Sequence, residues 1–174
     1  MDGKPSKTGS VTLLESRSVI SASGTTGLRT WEAALLLGSF LASQSGQDII
    51  RDKTILELGA GTGLLSILCA KHLRVSGVLA TDGDEAVVDA IKTNAFLNEE
   101  NDSADLIQGS IRTAALKWGR YIRASTFAED YGIEIPDVVL GADVVSYSKG
   151  NQYLRTDLIT IILRRTIRQS FHPS

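Results

Sequence analysis

Cysteine is almost absent from this sequence, and that scarcity removes several possibilities at once. The single thiol, Cys69, cannot close an internal disulfide. It fits a chain kept in a reducing compartment, and its apolar neighbours on a helix give it a packing role. With only two histidines beside it, the sequence offers no metal-ligand cluster. Long hydrophobic runs are lacking too. The longest apolar stretch, residues 33–42, falls far short of the roughly 20 residues that span a bilayer. The first ten residues, MDGKPSKTGS, contain no apolar signal core. Neither sign of charge dominates: the net value of −2 gives no bulk attraction to nucleic acid or to an anionic membrane. Prolines are few, and no low-complexity segment or internal repeat is present. These absences predict a soluble, cytoplasmic, metal-free chain whose partners include neither nucleic acid nor membrane.

What is present reads as one domain. The 174 residues, 43% of them hydrophobic, suffice to bury about two-thirds of the unfolded surface. Thr30 is an expected N-cap for a helix with Ala33, Leu36, Leu37, Phe40 and Leu41 as its apolar stripe. Residues 53–58 (KTILEL) read as a short buried strand, residues 62–73 as a helix, and residues 76–82 (SGVLATD) as a second strand. Asp84 can cap a helix that buries Val87, Val88, Ile91 and Ala95. A third strand is expected at residues 114–118 (AALKW) and a fourth at residues 136–145 (PDVVLGADVV). This alternation predicts an α/β fold, a doubly wound parallel sheet with helices on both faces.

The turn after the first strand carries the chemistry: Glu57-Leu58-Gly59-Ala60-Gly61-Thr62-Gly63. Ligands of such sheets bind at the carboxyl ends of the strands, and glycines there let the backbone approach a ligand closely. The third glycine comes one residue too early for the dinucleotide fingerprint, and no Gly-Lys-Ser/Thr follows, which excludes a P-loop. A carboxylate at Glu57 would repel a pyrophosphate and suit a positively charged ligand. S-adenosyl-L-methionine is such a ligand, with a sulfonium, an ammonium and no phosphate. Asp82, ending the second strand, can accept both hydroxyls of a ribose. It would do so for a nicotinamide cofactor as well, so an oxidoreductase stays as the less favoured alternative.

The segments VISASGTTGLRTWEAALLLGSFL, ILELGAGTGLLSILCAKHL, ATDGDEAVVDAIKTNAFLN, LKWG and DVVLGADVV resemble the seven-β-strand protein-lysine methyltransferases, lysine methyltransferase family 16. Within it they are most similar to the elongation factor 2 lysine methyltransferases. The resemblance implies a class I methyltransferase (Rossmann-like) fold, S-adenosyl-L-methionine as cofactor, and methyl transfer to a lysine of elongation factor 2. It places Trp31 against the cofactor and Gly59, Ala60 and Gly61 along its methionine part, with Glu57 close by. Asp82 falls on the ribose, Trp118 beside the adenine, and Ala142 under the methyl group. It assigns Asp143 the acidic position of a D-x-x-Y type motif that holds the target lysine.

After Val144 the sequence departs from the family. The aromatic position of that motif is Ser146, and Tyr147 comes one residue late; on a strand such a shift turns a side chain to the opposite face. Residues 156–171 read as an amphipathic helix capped by Thr156, with Leu158, Ile161 and Ile162 on one side. The family's later strands have no counterpart, the pattern expected of a C-terminally truncated or mis-spliced member. The expected organisation is a polar segment (1–17), a methyltransferase core (18–145) and a divergent C-terminal segment (146–174). An open fourth strand would then be a place for association of an otherwise monomeric chain. A catalytically inactive, cofactor-binding interaction module is the alternative reading.

Overall fold

A computed structural model of the chain describes residues 9–16, 26–99, 110–117, 125–144 and 159–163. The elements run α1 (Glu32–Ala42), α2 (Gln44–Ile50), β1 (Thr54–Leu58), α3 (Leu64–His72), β2 (Gly77–Asp82), α4 (Glu85–Glu99), β3 (Ser110–Ala115), α5 (Phe127–Tyr131), β4 (Val138–Ala142) and β5 (Ile159–Leu163). They form a five-stranded sheet ordered β3-β2-β1-β4-β5. The first four strands are parallel, and β5 runs antiparallel to β4. The strand order reverses between β1 and β4, which makes their carboxyl ends the topological switch point where open α/β sheets take ligands.

Alternation along the strands sends successive side chains to opposite faces. Ile55, Val78, Val138 and Leu140 join Leu37, Leu41, Ile50, Leu65 and Cys69 in one core layer under α1, α2 and α3. Leu56, Leu79 and Phe127 build the opposite layer under α5. Near the carboxyl ends of the strands, Ala60 and Ala80 pack on Val87 and Ile91 of α4. Helices thus cover both faces, as expected of a Rossmann-like class I methyltransferase sheet.

Four local readings need correction. α1 starts at Glu32 with Trp31, not Thr30, as its N-cap, because Thr30 turns its hydroxyl to Thr62. Its buried side is Ala33, Leu37, Gly38 and Leu41, while Leu36 and Phe40 are exposed; positions spaced by four set the stripe, and the other two flank it. The third strand lies at Ser110–Ala115, overlapping the expected span only at residues 114–115. Its β-branched Ile111 and Thr113 are in register with Val78 and Ala80.

The fourth correction concerns the C-terminal segment, where residues 159–163 form a strand and not part of a helix. The run Ile-Thr-Ile-Ile-Leu is mostly β-branched, and pairing Leu140 with Ile161 and Ala142 with Ile159 satisfies the outer row of β4's backbone groups. β4 is therefore not the open edge the sequence predicts. The expected cap Thr156 lies outside the described residues.

Candidate functional site

The glycine turn sits at the switch point, closed by backbone geometry that only some residues tolerate. Gly59, Gly61 and Gly63 all take positive φ, 63°, 55° and 81°. At Gly61 a Cβ would also stand 3.2 Å from the Gly27 carbonyl, and at Gly63 it would meet Ile91 Cγ2 at 3.0 Å. At Gly61 and Gly63 the turn is thus pressed between the segment before α1 and helix α4, where a side chain would be crowded. The Ala60 amide donates to the Thr81 carbonyl at 2.8 Å, tying the turn to β2.

Two carboxyl groups flank it. Asp82 ends β2, accepting from the Gly61 amide (3.2 Å) through one oxygen and from the Asp84 amide (3.1 Å) through the other. Burial raises its pKa above the ordinary value, against the opposing pull of these amides. Glu57 lies beneath the turn, 3% exposed. The Ser66 hydroxyl of α3 donates to its carboxylate. Desolvation pushes its pKa up to about 7; the Ser66 hydrogen bonds oppose the rise and the charge of Asp82 adds to it. Such a pair of reluctant anions disfavours a phosphate at the turn and offers a cationic ligand a gain on binding.

The structure brings Glu57, Gly59, Ala60, Gly61 and Asp82 together. Ala142 and Asp143 stand at the carboxyl end of β4, beside β1 through the Leu58–Gly141 register. Asp143 is partly buried in the left-handed backbone region, φ 55°. Such a conformation re-aims the chain as the strand ends. Trp31 is half-buried at the start of α1, where its indole donates to the Thr26 carbonyl at 3.3 Å. Trp118, Ser146 and Tyr147 lie outside the described residues.

Sequence reasoning missed three buried polar groups behind the turn: Ser66, which meets Glu57, and Asn94 and Asn98, exposed by 0% and 4%. Two amides four residues apart on the buried side of an amphipathic helix were the available signal, since buried amides need partners. They hold residues 12–14: Asn98 exchanges hydrogen bonds with the backbone of Thr12, and Asn94 with that of Leu14. Ser16 continues the segment by donating to the Leu28 carbonyl at 2.7 Å.

Among the described residues no helix is long and apolar enough to cross a membrane, and no group of three or more potential ligands could hold a metal ion. Comparison with known proteins matches residues 18–167 to a family described as lysine methyltransferase. Protein-lysine N-methyltransferase EFM3 of Chaetomium thermophilum is 52% identical over 134 residues, which cover 77% of this chain and 38% of that protein. Protein-lysine N-methyltransferase EEF2KMT of Homo sapiens is 35% identical over 141 residues, 79% of this chain and 40% of that one. EEF1A lysine methyltransferase 3 of Mus musculus is 38% identical over 117 residues, 67% and 43% respectively. The chain thus spans about two-fifths of the length of these relatives. The sheet, the acidic glycine turn and the match across most of the chain lead to one conclusion: this protein belongs to the lysine methyltransferase family.

Proposed function

We propose that the chain binds S-adenosyl-L-methionine at the glycine turn and serves methyl transfer to a lysine side chain of elongation factor 2. The observation that carries the reading is the pairing of Glu57 and Asp82 around Gly59–Gly61 at the switch point. Their chemistry fits this cofactor. Glu57 gains ionisation when a positive group approaches, and the bare glycine backbone permits close approach. Asp82 holds its carboxylate at the strand end, where a ribose would lie.

When bound, S-adenosyl-L-methionine supplies a methyl group activated by its sulfonium. The chain's own residues then have to bind and orient. Trp31 would close the amino-terminal side, and the family resemblance gives Trp118 the place beside the adenine. Ala142 keeps the floor small, and Asp143 draws the lysine amine toward the end of β4. Most of the rate gain of such a displacement comes from positioning and the exclusion of water.

Elongation factor 2 as substrate draws support from the likeness to EEF2KMT; the likeness to EEF1A lysine methyltransferase 3 makes elongation factor 1A the second candidate. A calorimetric titration with S-adenosyl-L-methionine tests the cofactor. Wild type should bind, and Asp82→Ala should lose about tenfold or more in affinity, the usual worth of hydrogen bonds to a charged group. Equal binding by both would remove Asp82 from the site, and no binding by folded wild type would refute the reading. Labelled methyl transfer to elongation factors 2 and 1A, offered separately, then decides between the substrates.

A further inference from the structure

The segment before α1 is joined to the glycine turn by a closed circuit of hydrogen bonds. Asn94 Oδ1 accepts from the Leu14 amide at 2.7 Å, and Asn94 Nδ2 donates to the Leu14 carbonyl at 3.3 Å. The same Nδ2 donates its second hydrogen to the Thr62 carbonyl, inside the turn, at 2.9 Å. The Thr62 hydroxyl meets the Thr30 hydroxyl at 2.7 Å. Thr30 completes the circuit at Glu15, the neighbour of Leu14, donating to its carboxylate through both hydroxyl and backbone amide. Thr62 and Asn94 are buried, at 3% and 0% exposure.

An asparagine amide has one acceptor oxygen and two donor hydrogens. At Asn94 all three are engaged, two on the segment at residues 12–14 and one on the turn. No side chain outside this circuit is needed to link them. Asn98 lacks this double engagement: it holds Thr12 and the Asn94 carbonyl, and it does not reach the turn.

We infer that Asn94 is a positioning residue which couples the amino-terminal segment at residues 12–15 to cofactor binding at the glycine turn. Ordering of that segment favours the cofactor-competent turn, and an occupied turn holds the segment down. The inference rests on the reading of the turn as the S-adenosyl-L-methionine site. Because coupling between two sites is reciprocal, it has two separate signatures.

The test measures both on the full chain. Amide hydrogen exchange of Leu14 in wild type is followed with and without saturating S-adenosyl-L-homocysteine. Occupancy should slow it about tenfold, a mid-range coupling. Calorimetry with the same ligand should show Asn94→Ala weakened about tenfold, and Asn98→Ala changed less than about threefold. A Leu14 exchange rate indifferent to ligand overturns the inference without any variant having to fold. So does an Asn94→Ala affinity equal to that of wild type. Absence of ligand binding by wild type is a different failure: it refutes the cofactor reading and the inference together.

Discussion

Glu57 joins two roles that oppose each other. Its carboxyl has an ordinary pKa of 4.5 and is pushed up to about 7 in the folded chain, chiefly by burial. Across that window the folded state holds the proton more tightly than the unfolded state. Stability therefore falls as pH rises from about 4.5 to about 7 and then levels, a loss of roughly 3 kcal/mol from this group. Glu57→Gln keeps an acceptor for Ser66 and cannot ionise. It should flatten the slope in denaturant unfolding measured from pH 5 to 8, and be the more stable protein at pH 8. The same variant should bind S-adenosyl-L-methionine more weakly at pH 8, since the positive ligand no longer meets a charge. A Glu57→Gln variant less stable than wild type at pH 8 would overturn this account of the buried charge. The residue types at this turn were legible in sequence, but the proton affinity was not. It depends on the depth of burial under α3 and on Ser66, nine residues away along the chain.

At the scale of the element, periodicity located α1, α3 and α4, missed the short helices α2 and α5, and failed where two patterns competed. In α1, neighbours Leu36 and Leu37 look equally hydrophobic in sequence, yet they are 57% and 1% exposed. Leu37→Ala should cost about 2–5 kcal/mol in equilibrium unfolding, whereas Leu36→Ala should stay within about 0.5 kcal/mol. Comparable losses at both would mean that the outer side of α1 is covered. The C-terminal run at residues 159–163 fits a helical stripe and a strand alike, because five residues of Ile, Thr and Leu carry no clean period. What settles it is the unpaired side of β4, which needs backbone partners that only a strand can provide. The displacement of β3 has the same origin. Its register is set by β2, and the more hydrophobic Leu116 continues beyond the strand, where its amide reaches the Asp82 carbonyl at 2.8 Å.

For the whole molecule, the site is assembled from elements far apart in sequence and lies where the sheet changes direction. Ligand binding to such a site stabilises the folded state by mass action. S-adenosyl-L-methionine at a hundredfold excess over its dissociation constant should contribute about 2.7 kcal/mol. For a chain of this size that raises the melting temperature by several degrees, at about 2–4 °C per kcal/mol. Scanning fluorimetry should show the shift for wild type and a much smaller one for Asp82→Ala at the same ligand concentration. An equal shift for both would place the ligand elsewhere.

The chain by itself determined its strand-turn-helix order, its acidic glycine turn and its class of fold. These follow from local rules: apolar periodicity, glycine's freedom at positive φ, and the charge of Glu57 and Asp82. Only the tertiary structure decided which side of α1 is buried, that residues 159–163 pair with β4, and that Asn94 joins Leu14 to Thr62 across 80 and 32 positions of sequence. Those outcomes depend on which backbone groups lack partners once the sheet has closed, a condition that no local stretch of sequence contains.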